Sequence, residues 1–290
     1  MKFPKPVDKI DLHMHTTISD GTDTPSEIIS VVRREGISLF SVTDHDAVMG
    51  CGMVREILTD DDPLFISGAE FSCRDTKGKY HILAYGYENL SPKITDMMMA
   101  RHAARLEKVR MRLDALREDF GIIFSKEDID KLFKNKNPGK PHLANLLIRY
   151  GYADTITLAI HKYLDKLKVP GKWFHPADTI AGILNAGGIP VLAHPSYGSG
   201  DELIMGDELD ARIQRLISFG LQGVEAYYSG FSNKLQAEVL ALAEKYKLYV
   251  TAGSDYHGRN KLVLPGDTHQ PDMDEAPDGL IAFLEDVPLR

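Results

Sequence analysis

The fold is decided by one short stretch near the start of the chain, Ile10-Asp11-Leu12-His13-Met14-His15-Thr16. Its first half is an apolar, strand-like run, and two histidines follow with one residue between them. In extended backbone, residues two apart point to the same side, so both imidazoles can reach one metal ion. The stretch therefore predicts a strand that ends in a metal site.

The same arrangement of an apolar run followed by polar residues recurs along the chain. Further strands are predicted at Ile37–Thr43, Leu64–Gly68, His81–Tyr85, Ile189–Ala193, Gly223–Tyr227 and Leu248–Ala252. Helical patterns separate many of these strands, and Thr24-Pro25-Ser26-Glu27 is typical of a helix start. Strands that alternate with helices indicate β/α units and a largely parallel sheet. The predicted fold class is α/β.

The alternation stops between residues 91 and 169. A long helix from Met97 to Arg117 is predicted there, followed by shorter helical segments at His142–Tyr150 and Thr155–Leu167. Convincing strands are absent from this part of the sequence, and the alternation resumes after residue 170. We therefore predict a barrel formed by residues 1–90 and 170–290, with a helical insertion domain at 91–169.

Composition narrows the class of protein. A chain of 290 residues fits one α/β barrel with an insertion. The net charge of −8 argues against a protein that coats duplex nucleic acid, but a local positive pocket for a small anion is compatible with it. Two cysteines without paired spacing predict no disulfide framework. With neither a signal-peptide pattern nor an apolar run of membrane length, the sequence predicts a cytoplasmic protein without membrane contact.

Histidines and carboxylates gather at the ends of the predicted strands, and one histidine lies inside a strand. The candidate metal ligands are His13, His15, Asp20, His45, Glu70, His81, His194, Asp255 and His257. Strand ends open on one face of a β/α barrel, so residues far apart in sequence should converge. Buried imidazoles and carboxylates need partners, and nine ligands exceed what one tetrahedral ion uses. We expect two or three divalent ions: manganese, iron or zinc, with magnesium as a further candidate.

The order of these motifs resembles the polymerase and histidinol phosphatase (PHP) family. The matching pieces are Asp11-Leu12-His13-Met14-His15-Thr16, Ser19-Asp20-Gly21, Thr43-Asp44-His45-Asp46, Gly68-Ala69-Glu70, His81, Leu192-Ala193-His194-Pro195 and Gly253-Ser254-Asp255-Tyr256-His257-Gly258. The resemblance implies a distorted (β/α)7 TIM-like barrel and a trinuclear centre. The implied ligand sets are His13, His15, Glu70 and Asp255; Glu70, His81 and His194; and Asp20, His45 and His257. Every ligand position is filled, which implies an active enzyme.

A cluster of this kind is suited to hydrolysis. Neighbouring metal ions lower the pKa of a bridging water and clamp the attacking and leaving oxygens. In amidohydrolases, the same kind of metal cluster hydrolyses amides and lactones. The family resemblance favours phosphate esters instead, attacked by metal-activated hydroxide. Asp46 and His194 are candidate catalytic groups, for proton transfer or for orientation.

Three parts of the sequence are candidates for substrate binding. Arg101 and Arg105 share one face of the long helix, where the alternative is a solvated surface. Lys140 and His142 lie in a Gly-Lys-Pro-His element that resembles a Gly-Arg-Pro-His element of one family branch, with lysine in place of arginine. Glu225 ends a predicted strand on the active face, where it could contact the substrate or support a ligand.

The sequence predicts a phosphoesterase that acts on a small nucleotide, such as a nucleoside 3′,5′-bisphosphate, or on a short RNA oligonucleotide. The branch with the Gly-Arg-Pro-His element contains phosphatases and RNA-trimming enzymes of these kinds. Histidinol-phosphate phosphatase is the nearest rival because it shares the metal motifs. A non-catalytic metal-binding accessory module is the rival of a different class. Trp173 and Tyr228 are aromatic residues that could either stack on a base or pack.

Overall fold

The computed structural model describes residues 3–88, 91–135, 137–197 and 202–289, and a seven-stranded sheet runs through these residues in sequence order. Its strands are β1 (Ile10–Asp11), β2 (Leu39–Val42), β3 (Leu64–Arg74), β4 (Lys79–Tyr85), β5 (Ile189–Leu192), β6 (Gly223–Tyr228) and β7 (Tyr249–Gly253). The first and last strands also meet, because the Leu12 amide donates to the Ala252 carbonyl at 2.8 Å. The sheet is thus a nearly closed barrel, and the predicted distorted α/β barrel is confirmed.

The sheet is mixed, although a largely parallel one was expected. β4 pairs antiparallel with both β3 and β5, while the other neighbours are parallel. β3 is also longer than predicted, because it continues past Gly68 to Arg74 in a hairpin with β4. Since β4 runs against its neighbours, its first residues lie at the end of the barrel where the others finish. This explains the polar His81 in an otherwise apolar strand.

Helices cover the outside of the barrel. They are α1 (Pro25–Arg34), α2 (Met49–Ile57), α3 (Pro92–Phe120), α4 (Lys126–Lys134), α5 (Lys140–Arg149), α6 (Ile156–Ala159), α7 (Pro176–Asn185), α8 (Gly206–Ile217), α9 (Asn233–Tyr246) and α10 (Asp278–Asp286), with a π-helical turn at Ile160–Leu164. The predicted start of α1 is confirmed: the Thr24 and Glu27 side chains form a reciprocal capping box. α2 was missed, because it contains Gly50 and Gly52 and begins without a side-chain cap.

The described residues form three apolar clusters. The largest lies in the barrel and includes fully buried Phe71 and Tyr85. A second is built from residues 109–164 of the insertion, among them Val109 of α3 and Leu143 of α5. A third packs α1 and α2 against β2. The division into a barrel and an insertion domain stays a prediction. Within the described ranges, no helix combines the length and apolar character needed to cross a membrane.

Candidate metal centre

The nine candidate ligands meet at one end of the barrel. His15 and His257 come from opposite ends of the chain, yet their ring centroids are only 3.9 Å apart. Two isolated bridges tie the segments that carry the ligands together: Met14 pairs with Tyr256, and His45 pairs with Glu70 of β3. Three overlapping groups of histidines and carboxylates result, each of a kind that could hold a metal ion.

The first group has the dimensions of a tetrahedral site. Nε2 of His13 is 3.4 Å from Oε2 of Glu70 and 3.4 Å from Oδ1 of Asp255. The corresponding distances from Nε2 of His15 are both 3.3 Å. A tetrahedral ion with bonds of about 2.0–2.1 Å spaces its ligands roughly 3.3–3.4 Å apart. The four atoms therefore fit around one cation.

Hydrogen bonding gives an independent test of the fit. The two Nε2 atoms of His13 and His15 and the Oε2 atom of Glu70 are buried without a hydrogen-bond partner among the described residues. Burying a polar atom without a partner is costly. Because these atoms converge on a shared point and do not bond one another, the donor set fits a divalent metal.

The second group surrounds the other oxygen of Glu70. Its Oε1 atom is 2.9 Å from Nδ1 of His81 and 3.2 Å from Nε2 of His194, and those two nitrogens are 3.3 Å apart. Oε2 of the same carboxylate lies 2.8 Å from Nδ1 of His45. Glu70 is thus the residue that the first and second groups share.

The third group is centred on Asp20. Its Oδ1 atom is 3.3 Å from Nε2 of His257 and 3.6 Å from Nδ1 of His15, and its Oδ2 atom is 3.7 Å from Nε2 of His45. His15 and His45 therefore use their two ring nitrogens toward different groups. The structure brings all nine residues together, and the first group is the one that the family resemblance implies. The other two differ in part: His15 joins Asp20, His45 and His257, and His45 joins Glu70 and His81, while His194 lies beside Glu70. Their role as ligands stays a prediction.

The carboxylates of the cluster are held in the ionised form. Burial alone would raise the pKa of Glu70, but the imidazoles of His45, His81 and His13 outweigh this effect and hold it well below its usual value. Burial likewise opposes ionisation of Asp20, and His45 and His257 again hold its pKa low. Anionic oxygens are the ligands that hard divalent cations prefer.

The backbone is bent to aim these side chains. Asp46, His194 and Asp255 have φ angles of 48°, 29° and 57°, in the left-handed region that non-glycine residues rarely adopt. Such residues cost about 1–3 kcal/mol each and tend to cluster at functional sites. Gly253 beside them has no room for a side chain, since an added Cβ would collide with His13 and Glu225.

Glu225 supports the ligands and does not face the cavity. It is fully buried; its Oε1 atom is 2.8 Å from Nδ1 of His13, and its Oε2 atom accepts from the His194 amide at 2.8 Å. Because a carboxylate only accepts, the proton of His13 sits on Nδ1 and the lone pair of Nε2 points into the first group. Of the two roles predicted for Glu225, these contacts favour support of a ligand over contact with the substrate.

A cavity of about 280 Å³ opens beside Asp20, His45 and His81. Seven cationic side chains line it: Lys79, Arg101, Arg105, Lys108, Arg112, Lys140 and Lys172. Four of them come from one face of α3, whose residues 101, 105, 108 and 112 follow helical spacing. Only two acids, Asp20 and Asp46, share the lining. A chain of net charge −8 thus has a strongly positive pocket next to the metal-ligand cluster.

Arg101 and Arg105 both contact Asp46. Nη1 of Arg101 donates to Oδ1 of Asp46 at 3.0 Å and to the Ser72 carbonyl at 2.6 Å. Nη2 of Arg105 donates to Oδ2 of Asp46 at 2.5 Å. Burial would raise the pKa of Asp46, but Arg105 and Arg101 overcome it and keep this pKa low. Asp46 therefore suits orientation better than proton transfer, and the buried Arg101 holds it at the wall of the cavity.

The predicted Lys140 and His142 lie on different sides of the same turn. Lys140 lines the cationic cavity and pairs with Asp165. Nδ1 of His142 accepts from the Gly139 amide at 3.1 Å, and its ring lines two neighbouring cavities. Burial lowers the pKa of His142. Lys140 therefore belongs to the cationic cavity and His142 to its neighbours, and both substrate contacts stay predictions.

Several cavity residues were not singled out from the sequence. Lys108 and Arg112 continue the face of Arg101 and Arg105, so the helical spacing could have found them. Lys172 lies in an irregular segment, where the sequence gives no comparable signal, next to the Trp173 that the sequence analysis named. Trp173 is half exposed, and the Lys108 ammonium lies 4.0 Å from its ring centroid.

Comparisons with known proteins agree with this geometry. The PHP domain model matches residues 11–170. A 3′,5′-nucleoside bisphosphate phosphatase from Chromobacterium violaceum is 28% identical, over 86% of this chain and 87% of its own length. A 5′-3′ exoribonuclease from Haemophilus influenzae is 27% identical, over 86% and 90%. A phosphoribosyl 1,2-cyclic phosphate 1,2-diphosphodiesterase from Eggerthella lenta is 26% identical, over 86% and 94%.

Two solved structures have the same fold over almost their whole length. A protein from Bifidobacterium adolescentis, assigned as a metal-dependent phosphoesterase, has a TM-score of 0.80 and 28% identity, with 91% of this chain and 92% of that one covered. An amidohydrolase from Chromobacterium violaceum with bound sulfate and no metal has a TM-score of 0.79 and 26% identity, with 93% and 92% covered. With more than half of its residues matched by the domain model, the chain belongs to the PHP domain family, as a phosphoesterase.

Proposed function

We propose that this phosphoesterase hydrolyses a phosphate monoester of a small nucleotide that carries a second phosphate, such as a nucleoside 3′,5′-bisphosphate. The observation that carries the proposal is the shared wall of Asp20, His45 and His81, which belong both to the ligand cluster and to the cationic cavity. One phosphate would bind at the cluster while the other binds Arg105 and the cations beyond it. The bisphosphate phosphatase among the relatives supports this choice.

The nine clustered residues would hold two or three divalent cations. Bound there, such cations would make a water nucleophilic at neutral pH and offset the charge of the phosphate. The chain's own residues supply the positioning: Glu225 holds His13 and the His194 backbone, and Asp46 holds Arg105 at the entrance. Arg105 presents a planar guanidinium, which suits bidentate binding of a phosphate oxyanion.

Charge and size favour a nucleotide over the rival substrates. Histidinol phosphate carries an amino group that is cationic at neutral pH, and seven cations would repel it. A cavity of about 280 Å³ is at the small end of ligand pockets, roughly 300–1,000 Å³. It suits one nucleotide or the phosphorylated end of a short RNA, which the exoribonuclease relative also supports.

A substrate panel on the manganese-loaded enzyme tests the proposal. We expect kcat/KM for adenosine 3′,5′-bisphosphate to exceed that for histidinol phosphate by about 10–100-fold, because each charge-assisted hydrogen bond contributes about 1.5–3 kcal/mol. Adenosine 5′-monophosphate and a 5′-phosphorylated dinucleotide complete the panel and separate the contribution of the second phosphate from that of the base. A higher value for histidinol phosphate would contradict the proposal, and no hydrolysis of any ester would favour the accessory-module rival.

Lys108 should make substrate binding depend on pH. Burial and the nearby Arg112 and Lys140 lower the pKa of Lys108 to about 8, so its charge is present below pH 8 and lost above it. We expect KM for the bisphosphate to be flat near pH 7 and to rise up to about tenfold by pH 9.5. The phosphate itself ionises near pH 6, outside this range. In Lys108→Arg the rise should disappear; an unchanged rise would exclude Lys108 as its cause.

A further inference from the structure

We propose that Lys261 is a positioning residue of the metal centre, which acts with Tyr228 by holding the outer oxygen of Asp255. The inference rests on the metal centre of the proposed function and adds to it a residue outside the nine candidate ligands. Lys261 lies six residues after Asp255, beyond the Gly253–Gly258 motif that carries the family resemblance.

The two oxygens of Asp255 face different partners. Oδ1 lies 3.4 Å from Nε2 of His13, 3.3 Å from Nε2 of His15 and 3.4 Å from Nδ1 of His257. Oδ2 accepts from the Lys261 ammonium at 2.5 Å and from the Tyr228 hydroxyl at 3.2 Å. The two oxygens of the Asp255 carboxylate therefore have different roles: Oδ1 faces the ligand cluster, and Oδ2 binds Lys261 and Tyr228.

Lys261 is fixed more firmly than an ordinary surface lysine. Its ammonium also donates to the Tyr228 hydroxyl at 2.9 Å, which closes a triangle of three polar groups. Tyr228 is the last residue of β6 and is 7% exposed. Its ring centroid lies 5.1 Å from that of Phe231 and 5.6 Å from that of His194. An exposed ion pair contributes little because both side chains move freely, but this one is anchored on a buried tyrosine.

The loop that carries Lys261 is tied on both sides to segments that carry candidate ligands or adjoin them. The Asn260 side chain donates to the Asp20 carbonyl at 2.7 Å, and the Gly266 amide donates to Oδ2 of Asp11 at 2.7 Å. In contrast, the Leu262 and Leu264 side chains between them are exposed. The contacts of Asn260, Lys261 and Gly266 therefore fix this loop against the metal centre, whereas the two leucines face solvent.

A cation beside a metal ligand does not raise metal affinity by its charge, since like charges repel. Its use is geometric: with Oδ2 bound to Lys261, Asp255 cannot turn that oxygen inward, and Oδ1 alone faces His13 and His15. Partners of this kind orient metal ligands, and their loss typically costs about 10–100-fold in metal affinity or activity.

Cobalt binding to the intact 290-residue chain tests the inference. In Lys261→Met we expect the apparent Co²⁺ affinity, measured by competition with a chelator, to fall about 10–100-fold. The visible absorption spectrum of the bound Co²⁺ should change as well, because it reports the arrangement of the ligands. Lys261→Arg should restore most of the affinity and the spectrum, and Leu262→Ala, next in the loop and fully exposed, should match the wild type.

The outcomes separate this inference from the proposed function. If the wild type binds no Co²⁺, the assignment of the nine residues as a metal centre is wrong, and the proposed function fails with it. If the wild type binds Co²⁺ and Lys261→Met gives the same affinity and spectrum, only the role of Lys261 is wrong. A rise in KM with an unchanged spectrum would make Lys261 a substrate contact, which also overturns the inference. Should Lys261→Met fail to fold, Tyr228→Phe keeps the ring packing and should show a smaller shift in the same direction.

Discussion

Glu70→Gln should reduce phosphate ester hydrolysis by roughly 10³-fold or more, beyond the about 10–100-fold that loss of an outer partner costs. The reason is that this carboxylate lies between two of the ligand groups. Five imidazoles lie within 3.4 Å of its oxygens: His13, His15, His45, His81 and His194. Glutamine keeps the size of the side chain but removes the negative charge and turns one acceptor into a donor, so neither group stays complete.

Glu225→Gln is the matched control, because Glu225 is an equally buried glutamate that also contacts His13. Its loss should cost only about 10–100-fold. Elemental analysis should find more than one transition metal per chain in the wild type and fewer in Glu70→Gln. If Glu70→Gln kept the metal content and activity of the wild type, the ligand assignment would have to be abandoned.

Removing two cations from the cavity should give the second large effect. In Lys108→Met/Arg112→Met we expect kcat/KM for a nucleoside 3′,5′-bisphosphate to fall about 10²–10⁴-fold, since each charge-assisted hydrogen bond contributes about 1.5–3 kcal/mol. Burial, with Arg105 nearby, lowers the pKa of Arg112 to about 10, so this cation is held in an unfavourable place until an anion arrives. A substrate with a single phosphate should be affected far less.

A control with the same change of net charge comes from the outer face of the same helix. Arg110 and Arg117 are exposed, and neither lines the cavity. Arg110→Met/Arg117→Met should leave kcat/KM within about twofold of the wild type, because surface charges at this distance are screened by salt. Equal losses in the two double variants would mean that overall charge, and not the cavity, attracts the substrate.

The ligand cluster could be predicted because its signal is local. Each of His13, His45 and Glu70 follows or ends a short apolar run, and parallel strands must end on one face of a barrel. From that rule alone, without any known contact between the strands, these residues are predicted to lie close together. Even His81, which broke the rule, was identifiable as a polar residue in an apolar strand.

The remaining parts depend on contacts that leave no local pattern. The reversal of β4 follows from its pairing with both neighbours, and an apolar run reads the same in either direction. Glu225 lies inside β6, and only tertiary packing decides whether its side chain contacts the substrate or His13. Lys261 looks like any surface lysine until Tyr228 and Asp255 are seen beside it.

The length of α3 has a consequence for how such a protein can diversify. At about 1.5 Å per residue, its 29 residues span about 43 Å, from the helices packed on the barrel to the apolar cluster of the insertion. Along the way it contributes cations to the cavity and none of the nine candidate ligands. Under the proposed function, most of the selectivity and all of the chemistry are thus encoded in separate parts of the polypeptide, so that residues of the helix could be exchanged for a new substrate without a change in the reaction.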